Sequence, residues 1–590
     1  MSTPAEASQA KFTTGSTMRH VIVMTATGSV GLIAIFIVDA LNLFYISLLG
    51  VQALAAAIGF ASTLLFFTVS VAIGFTIACS ALVARCLGRG NRDEAASMGG
   101  ASMVFMALTT GAISLAVWPF LRELSALLGA QGETLDLTTR FLQMVLPSTP
   151  IVALGMCTTG ILRGVGDARR AMYVTLAAGV AAAIFDPIFI FGFGLGIDGA
   201  AIATVLSRLV MLGVGLYGAQ VVHHLIKLPD RKRLAAALRP FFAIGVPAVL
   251  TQIATPVGNA YVTTQIAHFG DDAVAGWAII GRIIPVAFGV IFALSGAVGP
   301  ILGQNYGARK YDRLVSTMRD SLLFTMVYVL AMWALLAIFS GPISSLFGAR
   351  EQAHELIIFF CLFAAGSFLF NGAIFVSSAA FNNLGFPTYS TVFNWGRSTL
   401  GVIPFVWIGA QYYGAKGVIA GWGLGAVVFG IISVIVCFRV VRRLAKTPPP
   451  DLPVPGPPPS AQSPFSTGKA ATVHSRHDQP GSPGRLRLAS TASSTARFNS
   501  SLIEAVSAIT ASIFRKSSAR KRETGGRNRM SGRLLLSFIA LIDCIINCVA
   551  PNIRSIEFGR RRSLAAGAPT TSMAMVMSAS PSIRSNGTGL

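Results

Sequence analysis

About twelve apolar stretches follow one another between roughly residues 20 and 440, each near the ~20 residues that a helix needs to cross a bilayer. Nothing else in the chain constrains its fold as tightly. Lipid offers the backbone no hydrogen-bond partner, so a chain that enters it must be helical or a closed barrel. The short apolar–polar alternation of barrel strands is absent. Composition agrees: 53% of the 590 residues are hydrophobic and only 12% are charged, against about 25% charged in a soluble domain. The mean hydropathy is +0.67. The first 18 residues are polar and include Pro4, and the apolar stretch behind them lacks a small-residue cleavage site, so we read no secretory signal there. The seven cysteines form no CxxC pair and the seven histidines no HExxH spacing; we expect free thiols, no metal, no cofactor and no enzyme site.

The pattern predicts helices over 19–46, 52–80, 95–118, 138–160, 171–194, 199–221, 241–267, 274–300, 318–341, 356–380, 389–410 and 416–438. The basic residues orient them. Alternate connections gather Lys11, Arg19, Arg85, Arg89, Arg92, Arg163, Arg169, Arg170, the run from Lys227 to Arg239, the run from Arg309 to Arg319, and Arg439 to Lys446. The remaining connections hold only Arg122, Arg140, Arg350 and Lys416. By the positive-inside rule the first set is cytoplasmic, which places both ends of the helical body on one side and makes the number of crossings even.

A repeat lies beneath these helices. Gly50-Val51-Gln52-Ala53 pairs with Gly270-Asp271-Asp272-Ala273, Gly88 with Gly307, Gly166 with Gly385, and Gly199 with Gly417, all at offsets near 219. Six helices per half is an even number, so the halves enter the membrane from the same side and are parallel repeats. The expected architecture is all-α and integral to the membrane: an N-lobe at 1–222, a connector at 223–240 and a C-lobe at 241–445. A basic, low-complexity tail follows at 446–590. Its proline-rich opening suggests disorder over 446–530, an aberrant reading frame is one account of it, and a weak apolar segment lies at 534–551.

Acids inside such a helix are costly and therefore informative. Asp39 and Asp186 fall inside predicted spans of the first half, at similar distances from the end opposite the basic connections. Asn42 is one turn from Asp39, and Thr204 lies at similar depth on the next helix. Desolvation favours the neutral acid, so such groups can take up and release protons near neutral pH. Pro187 favours a kink beside Asp186. The second half has Asn259 at the position matching Asp39, and Ile403-Pro404 near the counterpart of Asp186. Ion coupling is therefore expected in the first lobe. Arg208, Arg282 and Arg397 also fall within spans, where each pairs with an acid or with backbone carbonyls, or snorkels to the surface.

These residues resemble the multidrug and toxic compound extrusion (MATE) family over about residues 15–445. The resemblance rests on Val38-Asp39 through Leu49-Gly50 with Ala53-Leu54-Ala55-Ala56, and on Leu162-Arg163-Gly164-Val165-Gly166-Asp167. It rests also on Asp186-Pro187-Ile188-Phe189-Ile190-Phe191-Gly192, on Gly199-Ala200-Ala201-Ile202-Ala203-Thr204 and on Gly303-Gln304-Asn305-Tyr306-Gly307. It implies export of drugs or amphipathic, cationic metabolites driven by proton or sodium entry. The pattern is closest to the DinF-like branch, whose first- and fifth-helix aspartates match Asp39 and Asp186 and whose polar N-lobe position matches Thr204. Three features depart from it: Ala182 replaces an asparagine, the first-helix proline of some members is absent, with Gly28 at the repeat equivalent of Pro247, and Asn371 occupies the tenth-helix position where the sodium-coupled branch has an acid. The expected partners are a small-molecule substrate and membrane lipids, not nucleic acid; the expected state is a monomer in a bacterial inner membrane. A flippase of lipid-linked sugars on a related fold is the competing reading.

Overall fold

The computed structural model describes residues 10–47 and 52–446. Among the described residues the chain is helical throughout, without strands. The first half comprises α1 (Thr17–Ser47), α2 (Gln52–Gly88), α3 (Arg92–Val117), α4 (Leu121–Leu127), α5 (Gly132–Val145), α6 (Thr149–Val165), α7 (Ala168–Pro187) and α8 (Gly196–Leu216). The second comprises α9 (Arg231–Ala267), α10 (Asp271–Gly307), α11 (Tyr311–Ile338), α12 (Ser340–Leu346), α13 (Glu351–Leu362), α14 (Phe368–Leu384), α15 (Pro387–Ser398) and α16 (Ile403–Lys446). Helix α9 starts at Arg231, inside the segment read as a connector, because Asp230 caps it by accepting the Arg233 N–H at 3.0 Å. The tail, including 534–551, lies outside the described residues.

The repeat is written into the element boundaries. Helices α2 and α10, α3 and α11, α4 and α12, α5 and α13, α6 and α14, and α7 and α15 each start 219 residues apart. Helices α6 and α14 are both 17 residues long and both end on a left-handed glycine, Gly166 at φ 90° and Gly385 at φ 95°. A side chain there would be strained, which is why those two glycines stand out as landmarks.

Among the described residues eleven helices are long and apolar enough to cross a membrane, the last running from Pro387 to Lys446 over 60 residues. It is two crossings. Gly414 (φ 57°, ψ −141°) breaks α16, and the chain doubles back on itself. A Cβ at Gly417 would lie 2.0 Å from the Gly409 carbonyl oxygen, one at Gly421 2.4 Å from that of Phe405, and one at Gly425 1.7 Å from that of Gly401. The two limbs touch backbone to backbone, a contact only glycine permits. The count is therefore the even number that the charges require. Many large apolar side chains face outward, among them Leu108, Leu115, Val286 and Ile338, as a bilayer-covered surface requires.

The halves meet at the end where the basic residues gather. The Arg85 guanidinium donates to the carbonyls of Asn383 at 2.8 Å and Asn382 at 2.9 Å, and Gln304 Nε2 donates to the Gly164 carbonyl at 2.7 Å. Between the halves lies residues 10–16, a strap with one short turn (Lys11–Thr13). Phe12 is 1% exposed. Its N–H donates to Gln304 Oε1 at 2.9 Å, and its carbonyl accepts from Asn305 Nδ2 at 3.1 Å and Arg313 Nη2 at 2.9 Å. Lys11 Nζ reaches the Gly166 carbonyl at 2.8 Å. Further along the chain, Thr17 donates to the Asp320 carboxylate.

Candidate functional site

Helices α1 and α7 run side by side and parallel away from the basic end. A Cβ at Gly31 would touch Thr175, and one at Gly179 would lie 3.2 Å from Val38 Cγ2; farther on, the rings of Tyr45 and Phe191 meet edge to face at 6.3 Å. Asp186 sits on α7 between the last two levels and is 1% exposed. The matching stretch of α1 is the one that carries Asp39 and Asn42. Their backbone belongs to α1, and their side chains lie outside the described residues. Pro187 ends the regular part of α7, and Ile188–Gly192 continues as a π-turn. Proline cannot donate the next ladder bond, so the helix widens next to the buried acid.

Thr204 is half-buried on α8, and its hydroxyl donates to its own helix, to the Ala200 carbonyl at 2.8 Å. Arg208, one turn farther along, is 9% exposed. Its Nη1 donates to the Val145 carbonyl at 3.1 Å and to Ser148 Oγ at 2.7 Å, where the helix changes pitch between α5 and α6. Arg208 thus closes a helix junction within the first half. Arg282 is exposed on α10.

In the second half, Asn371 on α14 is 3% exposed, and its Oδ1 accepts from Arg397 Nη1 at 3.0 Å. Arg397 Nη2 donates to Thr255 Oγ1 at 2.8 Å. Asn259, one turn beyond Thr255 on α9, is exposed, and its carbonyl accepts from Thr263 Oγ1 at 3.0 Å. The structure therefore joins Asn371 to Arg397 and Thr255 and leaves Asn259 a turn away. Thr255 was not foreseen. Its signal was available: residues 251, 255, 259 and 263 are all polar and fall one turn apart.

At the basic end, Asp167 caps α7 by accepting the Arg170 N–H at 3.1 Å, and it also takes His223 Nε2 at 2.8 Å and the Arg170 guanidinium at 2.5 Å. Burial alone would raise the Asp167 pKa. The hydrogen bonds from His223 and Arg170 outweigh it and hold the carboxyl well below the ordinary carboxylate range. Among the described residues no group of three or more His, Cys, Asp or Glu is arranged to hold a metal ion.

The MatE family model matches residues 29–188 and 247–408, one segment in each half. A curated FAD transporter of Shewanella oneidensis is 30% identical over 435 residues, 72% of this chain and 95% of that protein. The multidrug export protein MepA of Staphylococcus aureus is 27% identical over 405 residues, 67% of this chain and 87% of that one. Among solved structures, the Vibrio cholerae MATE transporter VcmN in its bent form superposes with a TM-score of 0.69 at 24% identity, covering 72% of this chain and 97% of that chain. That likeness is one of fold.

Proposed function

The chain belongs to the MATE family of membrane transporters, and we propose that it exports drugs or amphipathic metabolites in exchange for protons by alternating access. The observation that carries the proton reading is Asp186, buried at 1% exposure on α7 beside a proline-induced π-turn, at the level of α1 that bears Asp39. A carboxylate in lipid surroundings is expensive to keep charged. Proton arrival from outside neutralises Asp39 or Asp186 and removes the counter-charge held for a cationic cargo. The bound proton thereby shifts the balance between the two arrangements of the lobes. Asn42 and Thr204 contribute polar contacts at the same depth. Asn259 and Asn371, both neutral, leave the second half without an acid for a sodium ion; sodium is the alternative coupling ion.

The basic end is taken as cytoplasmic, in the inner membrane of a bacterium, with the chain acting as a monomer. On that orientation the strap and the Arg85 contacts seal the cytoplasmic side, and the cleft opens outward. The competing flippase reading draws support from Arg397, a buried cation in the second half. The Shewanella relative is named for FAD, an anion, and the Staphylococcus relative for multidrug export. The charge of the cargo is therefore best sought in this chain's own residues.

Asp39→Asn and Asp186→Asn, made singly and assayed for substrate uptake into inside-out vesicles under an imposed pH gradient, acid inside, are each expected to lose at least about tenfold in rate, a barrier change near 1.4 kcal/mol. Wild-type rates in both variants would sink the coupling role. Efflux driven by a sodium gradient and indifferent to pH would sink proton coupling.

A further inference from the structure

The proton reading makes no use of the one charge buried in the second half. Arg397 is 6% exposed. Two of its donors serve Asn371 and Thr255, both neutral, and its Nε is buried without a hydrogen-bond acceptor. A guanidinium stays protonated, so the positive charge is permanent. Burying such a charge without an anion is costly. Residues 241–445 contain six acids: Asp271, Asp272, Asp312, Asp320, Glu351 and Glu355. Asp271, Asp272, Asp312 and Glu351 occupy first turns of their helices, Asp320 accepts from Thr17, and Glu355 pairs with Lys416 at 2.9 Å. None of them forms an ion pair with Arg397.

The backbone beside Arg397 is interrupted. Helix α15 ends at Ser398, and the chain is non-helical until Ile403. Interrupted helices at membrane depth are tolerated where they line a cavity. A route leads there. Thr251, Thr255, Asn259 and Thr263 lie one turn apart on α9, and their exposure rises from buried Thr251, through half-buried Thr255, to exposed Asn259 and Thr263. An exposed carboxamide within an apolar helix belongs on a water-lined face, because lipid gives it no partner. The stripe therefore runs from the end opposite the basic seal down to the guanidinium.

We infer that the end of this polar stripe binds an oxyanion of the transported molecule, a carboxylate or a phosphate, with Arg397 as its counter-charge and Thr255 and Asn259 as polar neighbours; this rests on reading the chain as an exporter. The planar fork of an arginine suits both groups, which it can grip through two parallel N–H bonds. The cargo, on this account, carries an anionic group that seats in the second half.

The test is equilibrium binding to the purified full chain with no gradient imposed, so it stands apart from the efflux assays of the aspartate variants. The probes are flavin mononucleotide for phosphate, fluorescein for carboxylate and ethidium as the cation. Wild type is expected to bind at least one anionic probe saturably. In Arg397→Gln the affinity ratio of that probe to ethidium is expected to fall at least about thirtyfold, with Arg397→Lys between the two. Should Arg397→Gln fail to fold, Asn371→Asp, which sets a carboxylate against the guanidinium, is expected to lower the same ratio. Failure of wild type to bind either anionic probe saturably overturns the inference, as does an unchanged ratio in whichever of these variants folds.

Discussion

Helix α7 buries Asp186, whereas α15, which starts 219 residues later and occupies the same place in the repeat, buries Arg397. Both helices lose regularity beside the charge, α7 in a π-turn and α15 in a four-residue interruption. Two copies of one backbone plan thus carry opposite signs at membrane depth. The plan explains the broken helices and leaves the sign unexplained, because Ala178 stands at the repeat position of Arg397 and Phe405 at that of Asp186. Charge differs where architecture does not, which is how a scaffold shared by both halves can carry unlike chemistry.

The comparison can be broken first at its scaffold. Gly425→Val drives a side chain into the Gly401 carbonyl, 1.7 Å from where its Cβ would sit. It is expected to cost more than about 3 kcal/mol and to leave little folded protein in membranes by fluorescence-detected size exclusion. Gly199→Val, in the corresponding hairpin of the first half, meets the Phe189 carbonyl at 2.5 Å and is expected to cost less. Equal losses would show that the two hairpins are not packed differently.

Next comes the sign of the charge. Asn371→Asp makes the second half resemble the first. It is expected to pair with Arg397 and leave unchanged the pH dependence of efflux that we propose for Asp39 and Asp186. A new pH-dependent step in vesicle efflux would refute the confinement of coupling to the first half. A smaller effect belongs to Thr255→Val, which strips one hydrogen bond from Arg397 at about 1–3 kcal/mol, read as a lower thermal midpoint that phosphate or flavin mononucleotide restores.

The smallest effect is at the basic end. Asp167 is held below its ordinary pKa in the folded chain, while the repeat position in the second half is Phe386. A depressed acid contributes stability that is fully present above the unfolded value of about 3.9 and is lost as pH falls below it toward the folded value. The hydrogen-exchange protection of the α6–α7 turn, taken relative to the intrinsic rate at each pH, is therefore expected to fall below about pH 4, with no such change at the α14–α15 turn. Matching behaviour at both turns would remove Asp167 as the cause.

The fold was legible in the sequence because each signal is local and each is imposed by lipid: apolar length, basic connections and glycines at helix ends. The repeat was visible at four glycine landmarks, and six element boundaries carry it. What stayed hidden depends on which face meets which. Arg208 and Arg397 look alike in sequence, both arginines within apolar helices, yet one ties a helix junction and the other meets only Asn371 and Thr255. The partner of Arg397 on α9 lies 142 residues away, a distance no periodicity bridges. Asp186 was readable because an acid inside lipid announces itself; Thr255 gave only the fainter signal of its one-turn spacing from Thr251, Asn259 and Thr263, because a threonine in such a helix is ordinary and can bond its own backbone.

The strap at residues 10–16 has a practical consequence. It is a peptide wedged between two bodies and hydrogen-bonded to both: Lys11 donates to the Gly166 carbonyl of the first half, while in the second Gln304 accepts the Phe12 N–H, and Asn305 and Arg313 donate to the Phe12 carbonyl. Any rocking of the halves about this seam must first let the peptide go. An affinity handle or truncation that disturbs Phe12 therefore acts on turnover as well as yield, and a purification tag is better carried beyond Lys446.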